Sequence, residues 1–527
     1  MMGRATVCLA LMALVSCAQM LPAIEYGRHA VRWVALPEPV GWNMRVPYEA
    51  HQNNSLPASE LAFLALPGSS STLWNPTVGL VGISLIAFAL AASFQSLLTR
   101  ILAGTALAAL LFAMARFNPL HGILYVFMPG LDKARSPAVA LSVMHFALSP
   151  LVALGADRLL TGLLPGVWLW RAAKYLAWSA TGIVVLVLLE VPAIRRTDNG
   201  LERSAMIALV GFLLAALYAG FSKLRMTTGL YSVLLTALLL FELGSNIGFD
   251  YPAIAELKRR DGVFPRLAGG MKDLADFVRR LPEPKRIEIN YDDFFFNFGD
   301  WFGVELMSGF VPSVPTSIYR LTWWEPRILS MYGVNYSISA KPPRPGQREI
   351  YTSSRGLHVY ANERAMPRAW TVHRLQTAGE EEAVRLVREG SFDFRDRAVL
   401  AGAVPPLETC AGADAVNVDY LSIQRLRLRV EMQCRGMVIL GDNAFPGWQA
   451  RVDGHPAAIY AANTSLRGVV VGKGAHEVEM EYRPASVRWG LLLTLTGAAI
   501  ALLLRVRRES GGTGILDAYS HPTRQAT

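Results

Sequence analysis

Long apolar runs broken by short polar stretches fill the first 250 positions of the chain, and the pattern then changes. Runs at about 5–23, 77–94, 99–116, 137–155, 168–190, 204–221 and 228–247 come near the roughly 20 residues that a bilayer crossing needs, and an eighth lies at 486–504. In hydrocarbon every backbone N–H and C=O has to be satisfied within the segment, so all eight are expected to be helices. Past residue 250 the runs shorten. Met271–Leu281 carries Leu274, Phe277, Val278 and Leu281 at helical spacing and stops at Pro282. Arg286–Asn290, Gly333–Ser339 and Leu357–Ala361 read as strands, and Gly379–Arg388, acidic first and basic last, reads as a short helix. From about 401 the chain is nearly all strand and turn. Leu426–Glu431 alternates strictly, and Met437–Gly441, Trp448–Val452, Ala457–Tyr460, Leu466–Val471 and Glu477–Tyr482 follow at even spacing, with a hairpin turn at Asp453-Gly454. Such spacing predicts a β-sandwich.

The expected fold is therefore a polytopic α-helical membrane protein of about eight transmembrane helices. It carries a large extracytoplasmic α+β segment and a C-terminal β-sandwich just before the last helix. The expected divisions are a helical membrane domain over 1–249, an α+β domain over 250–400, the sandwich over 401–485, and a final helix with a cytoplasmic tail over 486–527. Charge agrees with this division. Only 17% of the 527 residues are charged, and mean hydropathy is +0.30, against about 25% charged in a soluble chain. Residues 1–250 hold 27 charged side chains and residues 251–527 hold 65. Each part has a net charge of +5, so there is no basic cluster of the kind nucleic-acid binding needs.

Orientation follows from Lys and Arg near the span ends. Arg505, Arg507 and Arg508 put the C-terminus inside, and eight crossings then put the N-terminus inside with Arg4. Loops 24–76, 117–136, 191–203 and 248–485 fall outside, although Arg195, Arg196 and Arg203 go against the rule. The first run has a second reading, a lipoprotein signal with Cys17 as the acylated residue. Charged residues at span ends (Arg116, Glu190, Glu242) are read as snorkelling, and His145, inside the fourth span, as hydrogen-bonded between helices or as a proton relay.

The stretch Pro119–Pro137 mixes apolar residues with Gly and Pro and is too short to span, which suits an interfacial or re-entrant segment. It ends in Asp132-Lys133-Ala134-Arg135. Lys133 and Arg135 suit a lipid phosphate, or else anchor the start of the fourth span. His121 and Asp132 join them as candidate binding residues. Asp292-Asp293 reads as a solvated turn, with a divalent metal as the alternative. Trp301, Trp323 and Trp324 suit either sugar stacking or the headgroup level. Asn463-Thr464-Ser465 fits a glycosylation pattern. Cys410 and Cys434 share the outer part, where an oxidising compartment permits a bridge, but two cysteines make no framework and both states stay open. Nucleotide-binding glycine loops, metalloprotease and serine-nucleophile motifs do not occur in the sequence.

Several stretches carry a resemblance. They are Gln19–Glu25 with Arg32, Pro129–Pro137, Tyr332–Tyr336, Val359–Glu363 with Met366–Ala369, and Asn443–Trp448 through Val452–Gly454 to Tyr460, Asn463, Arg467–Val469 and Tyr482–Pro484. Through these the chain resembles the YfhO-like bacterial membrane proteins, relatives of the GT-C glycosyltransferases. The resemblance implies sugar transfer from a polyprenyl-phosphate-linked donor to a cell-envelope glycan at the outer face of the bacterial cell membrane. In GT-C enzymes an acid in the first outer loop activates the acceptor. Members of the family are longer at the N-terminus, so the expectation is a chain lacking that catalytic half: either its start is misplaced or interrupted, or it is a shortened member that has lost catalysis or needs a partner chain to supply the missing half. Glu25 is the stand-in for the missing acid; its plainer reading is a helix-end carboxylate paired with Arg28 or His29. The alternative function is a non-catalytic envelope glycan-binding or assembly protein. A transporter is the weakest reading, since no inverted repeat is visible.

Overall fold

The computed structural model describes residues 2–65, 75–189, 200–223, 227–249, 269–283, 285–290, 292–294, 297–307, 309, 311–345, 347–390 and 392–510. Glu190, Arg195, Arg196 and Arg225 lie outside them. Among the described residues, seven helices are long and apolar enough to cross a membrane: Thr6–Arg28, Leu97–Phe117, Pro137–Leu160, Gly166–Leu188, Leu201–Lys223, Thr228–Ser245 and Ala485–Arg505. The chain is a multi-pass helical membrane protein with a β-rich C-terminal part. It divides into two compact units, residues 45–269 and residues 1–44 together with 270–527.

In the unit 45–269, the helix expected over 77–94 begins only at Leu80 and ends at Ser93, about 21 Å against the roughly 30 Å of a bilayer core. Its start is fixed by Glu242. That carboxylate accepts hydrogen bonds from Leu80 N (2.5 Å) and Val81 N (2.9 Å), two of the donors that a helix N-terminus leaves open. Gly79 precedes them at φ +84, and a Cβ there would lie 2.7 Å from the Glu242 carboxylate. Glu242 is therefore not snorkelling, as its place near a span end suggested; it is 5% exposed and satisfies main-chain donors inside the bundle. Arg116 is exposed, as a span-end cation should be. His145 is half-buried, and its Nε2 has no hydrogen-bond partner among the described residues.

In the other unit the first helix (Met2–Arg28) and the last (Ala485–Ser510) pack along each other. Glycine makes the approach close: a Cβ on Gly490 would meet Cys17 O at 2.6 Å, and one on Gly497 would meet Leu14 Cβ at 2.8 Å. Thr494 Oγ1 sits between them, accepting from Ala18 N at 2.9 Å. Cys17 is an ordinary helix residue here, its sulfur 3.1 Å from Ala13 O. Directly after the first helix, Ala30–Arg32 pairs with Val40–Gly41 and with Ser313–Pro315.

Two larger sheets follow. One has five strands in the order Ala415–Ser422, Arg425–Met432, Gly474–Tyr482, Trp448–Val452, His455–Ala457. The other has four, in the order Tyr460–Ala462, Leu466–Val471, Gly436–Asn443, Ala369–Val372. They share one apolar core of Leu426, Leu428, Val430, Val438, Leu440, Val469 and Val478, supplied by the alternate residues of facing strands. The strand expected over Ala457–Tyr460 is two short strands in different sheets, because the chain crosses over at Ala458-Ile459. Ala369–Val372, which carries little periodic signal, joins the second sheet with Val372 opposite Met437. A third sheet holds Ile287–Ile289, Tyr336–Ser339, His358–Ala361 and Arg348–Thr352, and the helices Lys272–Arg279 and Glu380–Glu389 form where helical spacing and charge order, respectively, placed them. Cys410 and Cys434 form a disulfide.

Candidate functional site

The segment between the helices Leu97–Met114 and Leu141–Leu160 is a built element. Asn118 opens a short helix, Pro119–Phe127, by accepting from His121 N at 3.3 Å, with Pro119 in the first-turn position where its missing N–H costs nothing. Leu120, Ile123, Val126 and Phe127 leave one apolar face of this helix exposed. A helix of this kind, set between two crossings, suits the membrane interface. Its other face carries His121, which is completely buried.

The partners of His121 come from residues 45–56. Its Nε2 lies 3.3 Å from His51 Nε2, its Nδ1 lies 3.4 Å from Tyr48 Oη, and His51 Nδ1 lies 2.7 Å from Ala134 O. A carbonyl only accepts, so His51 donates from Nδ1 and its Nε2 carries a lone pair. His121 then donates from Nε2 and accepts at Nδ1 from the Tyr48 hydroxyl. The result is a directed chain of donors, Tyr48 to His121 to His51 to Ala134, with both rings neutral. Burial lowers the pKa of His121, and the neighbouring His51 lowers it further, to about 4. Burial also lowers that of His51, against weaker upward pulls from Ala134 O and Asp132. The rings stack at 4.9 Å, and Phe112 meets His121 edge-on at 4.8 Å.

Beyond this chain the segment turns at Gly130 (φ +82), a conformation that suits glycine, into Asp132, Lys133 and Arg135. Asp132 Oδ2 lies 3.6 Å from Arg45 Nε and 3.5 Å from Lys133 Nζ, and Asp132 O accepts from Val46 N at 2.9 Å. Tyr125 Oη donates to Val46 O at 2.7 Å. Two cations, Arg45 and Lys133, thus flank one carboxylate, and Arg135 follows in the chain just before a spanning helix. The structure brings three predicted residues together, His121, Asp132 and Lys133, with Arg135 adjoining only in sequence, and adds Arg45, Tyr48 and His51. Those three gave no signal, because a single turn of helix at Tyr48–His51 has no periodicity to read.

Glu25 belongs to the other unit. It accepts a hydrogen bond from Ser486 Oγ, at the start of the last helix, instead of pairing with Arg28 or His29. Past the end of its helix lies a cavity of about 490 Å³, with Arg28, Ser317, Arg320, Phe445, Tyr460 and Thr464 among its walls. Asp292 and Asp293 form a turn, where Asp293 Oδ2 accepts from Ala340 N at 2.8 Å. Trp301 and Trp324 are exposed. Asn463 is fully buried, with its Oδ1 accepting from Val399 N at 2.9 Å, so it cannot serve as a glycosylation acceptor in this fold.

Two of the stretches that carried the family resemblance, those holding Arg368 and Arg467, meet at Asp442. Its carboxylate lies 2.7 Å from Arg286, 3.0 Å from Arg368 and 2.9 Å from Arg467. Arg286 also donates to Tyr332 O and Gly441 O, both at 2.7 Å, and Arg368 reaches Glu305 at 2.7 Å. Burial pushes the Asp442 carboxyl up, but the three guanidinium groups outweigh it and hold it at about 2. These residues bind one another and the main chain, which is a fold-holding role. No family model matches the chain, and neither a curated protein nor a solved structure does.

Proposed function

We propose that the chain is a YfhO-like envelope membrane protein, related to the GT-C glycosyltransferases, that engages a polyprenyl-phosphate-linked sugar at the outer face of a bacterial cell membrane and serves its transfer to an envelope glycan. In this reading the two larger sheets form a β-sandwich on that face, and Leu80–Ser93 is an eighth, short membrane helix. The observation that carries the reading is the pair Arg45 and Lys133 held on Asp132 just after an interfacial helix, with Arg135 two positions beyond Lys133. A lipid phosphate at headgroup depth is a dianion or monoanion needing such cations, and Asp132 sets the spacing of Arg45 and Lys133. The histidine chain behind it holds the segment in place and supplies a path for a proton.

A second reading, non-catalytic glycan binding, is favoured by Glu25. A base has to keep its carboxylate free for the acceptor hydroxyl, whereas Glu25 is bonded to Ser486. The cavity lined by Phe445, Tyr460 and Thr464 offers a ring face and hydroxyl partners of the kind a sugar takes.

The test uses purified full-length chain in lipid nanodiscs with a polyprenyl phosphate carrying a radiolabelled sugar and an envelope glycan acceptor. Label transfer that is lost in a Lys133→Ala, Arg135→Ala double variant supports the transferase. Donor capture without transfer, weakened about tenfold or more in that variant as charge-assisted bonds are lost, supports the binding reading. Neither transfer nor capture overturns both.

A further inference from the structure

The disulfide lies where the chain passes from one large sheet to the other, in the turn between Arg425–Met432 and Gly436–Asn443. Cys434 is 7% exposed, and Cys410 is half-buried and the more exposed residue of the two. Beside them stands His373, between the strands Ala369–Val372 and Arg374–Ala378. Its Nδ1 is 3.6 Å from Cys434 Sγ and 2.9 Å from Glu408 O. Its Nε2 is 2.8 Å from Asp414 Oδ2, and the other oxygen of Asp414 accepts from Gln433 N at 2.8 Å. The ring lies against Gly436, where any side chain would displace it: a Cβ there would meet His373 Cε1 at 2.7 Å and Nδ1 at 2.9 Å. The one side chain of Asp414 is 3% exposed, so the carboxylate that holds the imidazole is itself fixed. A carbonyl and a carboxylate both only accept, so Glu408 O and Asp414 Oδ2 put a hydrogen on each ring nitrogen, and the one on Nδ1 is shared between Glu408 O at 2.9 Å and Cys434 Sγ at 3.6 Å.

A bridge that served only to close a loop would need none of this. We propose that Cys410–Cys434 is a thiol–disulfide exchange site whose substrates are thiols, with Cys410 as the sulfur attacked and His373 stabilising the thiolate that leaves from Cys434. An incoming thiolate forms a bond to Cys410 Sγ, the Cys410–Cys434 bond breaks, and the electron pair goes to Cys434 Sγ, where the His373 Nδ1–H receives it. A second thiolate, from a dithiol or a second thiol molecule, then attacks the outer sulfur of the mixed disulfide and releases Cys410. The thiol pair is oxidised to a disulfide and the protein disulfide is reduced to two thiols, so electrons balance without another reactant. A lower-energy leaving thiolate speeds exchange, which is the chemical effect of an N–H donor aimed at that sulfur. The inference does not depend on the sugar-transfer reading.

The full-length protein in nanodiscs is exposed to reduced glutathione or dithiothreitol, quenched by alkylation, and mapped by mass spectrometry, with the free Cys8 and Cys17 as internal references. The expected result is reduction of the bridge in the folded protein, a transient glutathione adduct on Cys410, and reduction about tenfold slower in His373→Gln. The proposal is overturned by a bridge that reacts only after unfolding, by an adduct on Cys434, or by a His373→Gln rate equal to or above that of wild type. The site of the adduct in the unmutated protein decides the matter if the variant does not fold.

Discussion

Two buried carboxylates, one in each unit, are satisfied in opposite ways. Asp442, in the sheet-rich unit, is held by side chains: Arg286, Arg368 and Arg467, with the Arg467 guanidinium also lying 3.7 Å over the Trp448 ring. Glu242, in the helical unit, is held by main chain, the first two N–H groups of Leu80–Ser93. A water-exposed domain can recruit long cationic side chains and desolvate them together. Within a bilayer a guanidinium is costly, whereas the open end of a helix supplies donors that must be satisfied anyway. The difference predicts different failures. A side-chain network can be repaired by changing its other members, but main-chain donors cannot be mutated away.

The largest effect is expected at Asp442. Asp442→Ala leaves three buried cations facing one another and should cost about 3–5 kcal/mol, read as earlier loss of hydrogen-exchange protection in the strands Arg425–Met432 and Gly436–Asn443. If only the helical unit loosens, the comparison fails. Acid should act through the same group. Its folded pKa is depressed, so its stabilisation is present above the ordinary carboxyl range and is lost as pH falls from about 4 through about 2.

Glu242→Ala should cost about 2–4 kcal/mol, since two main-chain donors in the bundle lose their acceptor at once. Thermal unfolding in detergent measures it, and Glu242→Gln, which keeps one acceptor oxygen, should fall between the variant and wild type. The repair test is next in size. Adding Arg467→Met to Asp442→Ala should recover about 1–2 kcal/mol in a double-mutant cycle, because Arg467 Nε and Nη1 already lack partners among the described residues. No second-site change at a side chain contacting Glu242 should rescue Glu242→Ala to that extent.

The smallest effect is a pH slope in the helical unit. His121 is neutral when folded and its pKa lies near 4, below its ordinary 6.5, so the unfolded chain binds the proton more readily between these values. Stability is therefore fully present above about 6.5 and declines as pH drops toward about 4. His121→Asn should flatten that slope in pH-dependent melting curves; an unchanged slope would remove His121 from the account.

Much of this was legible in the residues. All eight apolar runs form helices, and Leu426–Glu431, Trp448–Val452 and Leu466–Val471 form strands, because period and length are local properties set by backbone hydrogen bonding and by which face is buried. The candidate binding loop was legible through its composition, Pro and Gly among apolar residues with cations at one end. Its partners were not. Tyr48 and His51 lie about 70 positions or more before His121, and nothing in their own neighbourhood marks them. Glu242 looked like a helix-end charge because its acceptor role depends on a helix 161 positions away. Nothing in the resemblance stretches holding Arg368 and Arg467 marks what they pair with, and the structure puts these two arginines into a buried network with Asp442.

By itself the sequence determined most of the secondary structure, the two compositional regimes and the chemical kinds of the candidate residues, all of which act through neighbours along the chain. Only the tertiary structure decided that the first helix pairs with the last through Gly490 and Gly497, that Ala369–Val372 completes a sheet with Gly436–Asn443, that His121 finds His51, and that His373 stands against Cys434. Each of these is a contact between distant positions, chosen by shape and by the need to satisfy a buried polar group. Such a choice leaves no period in the sequence to read.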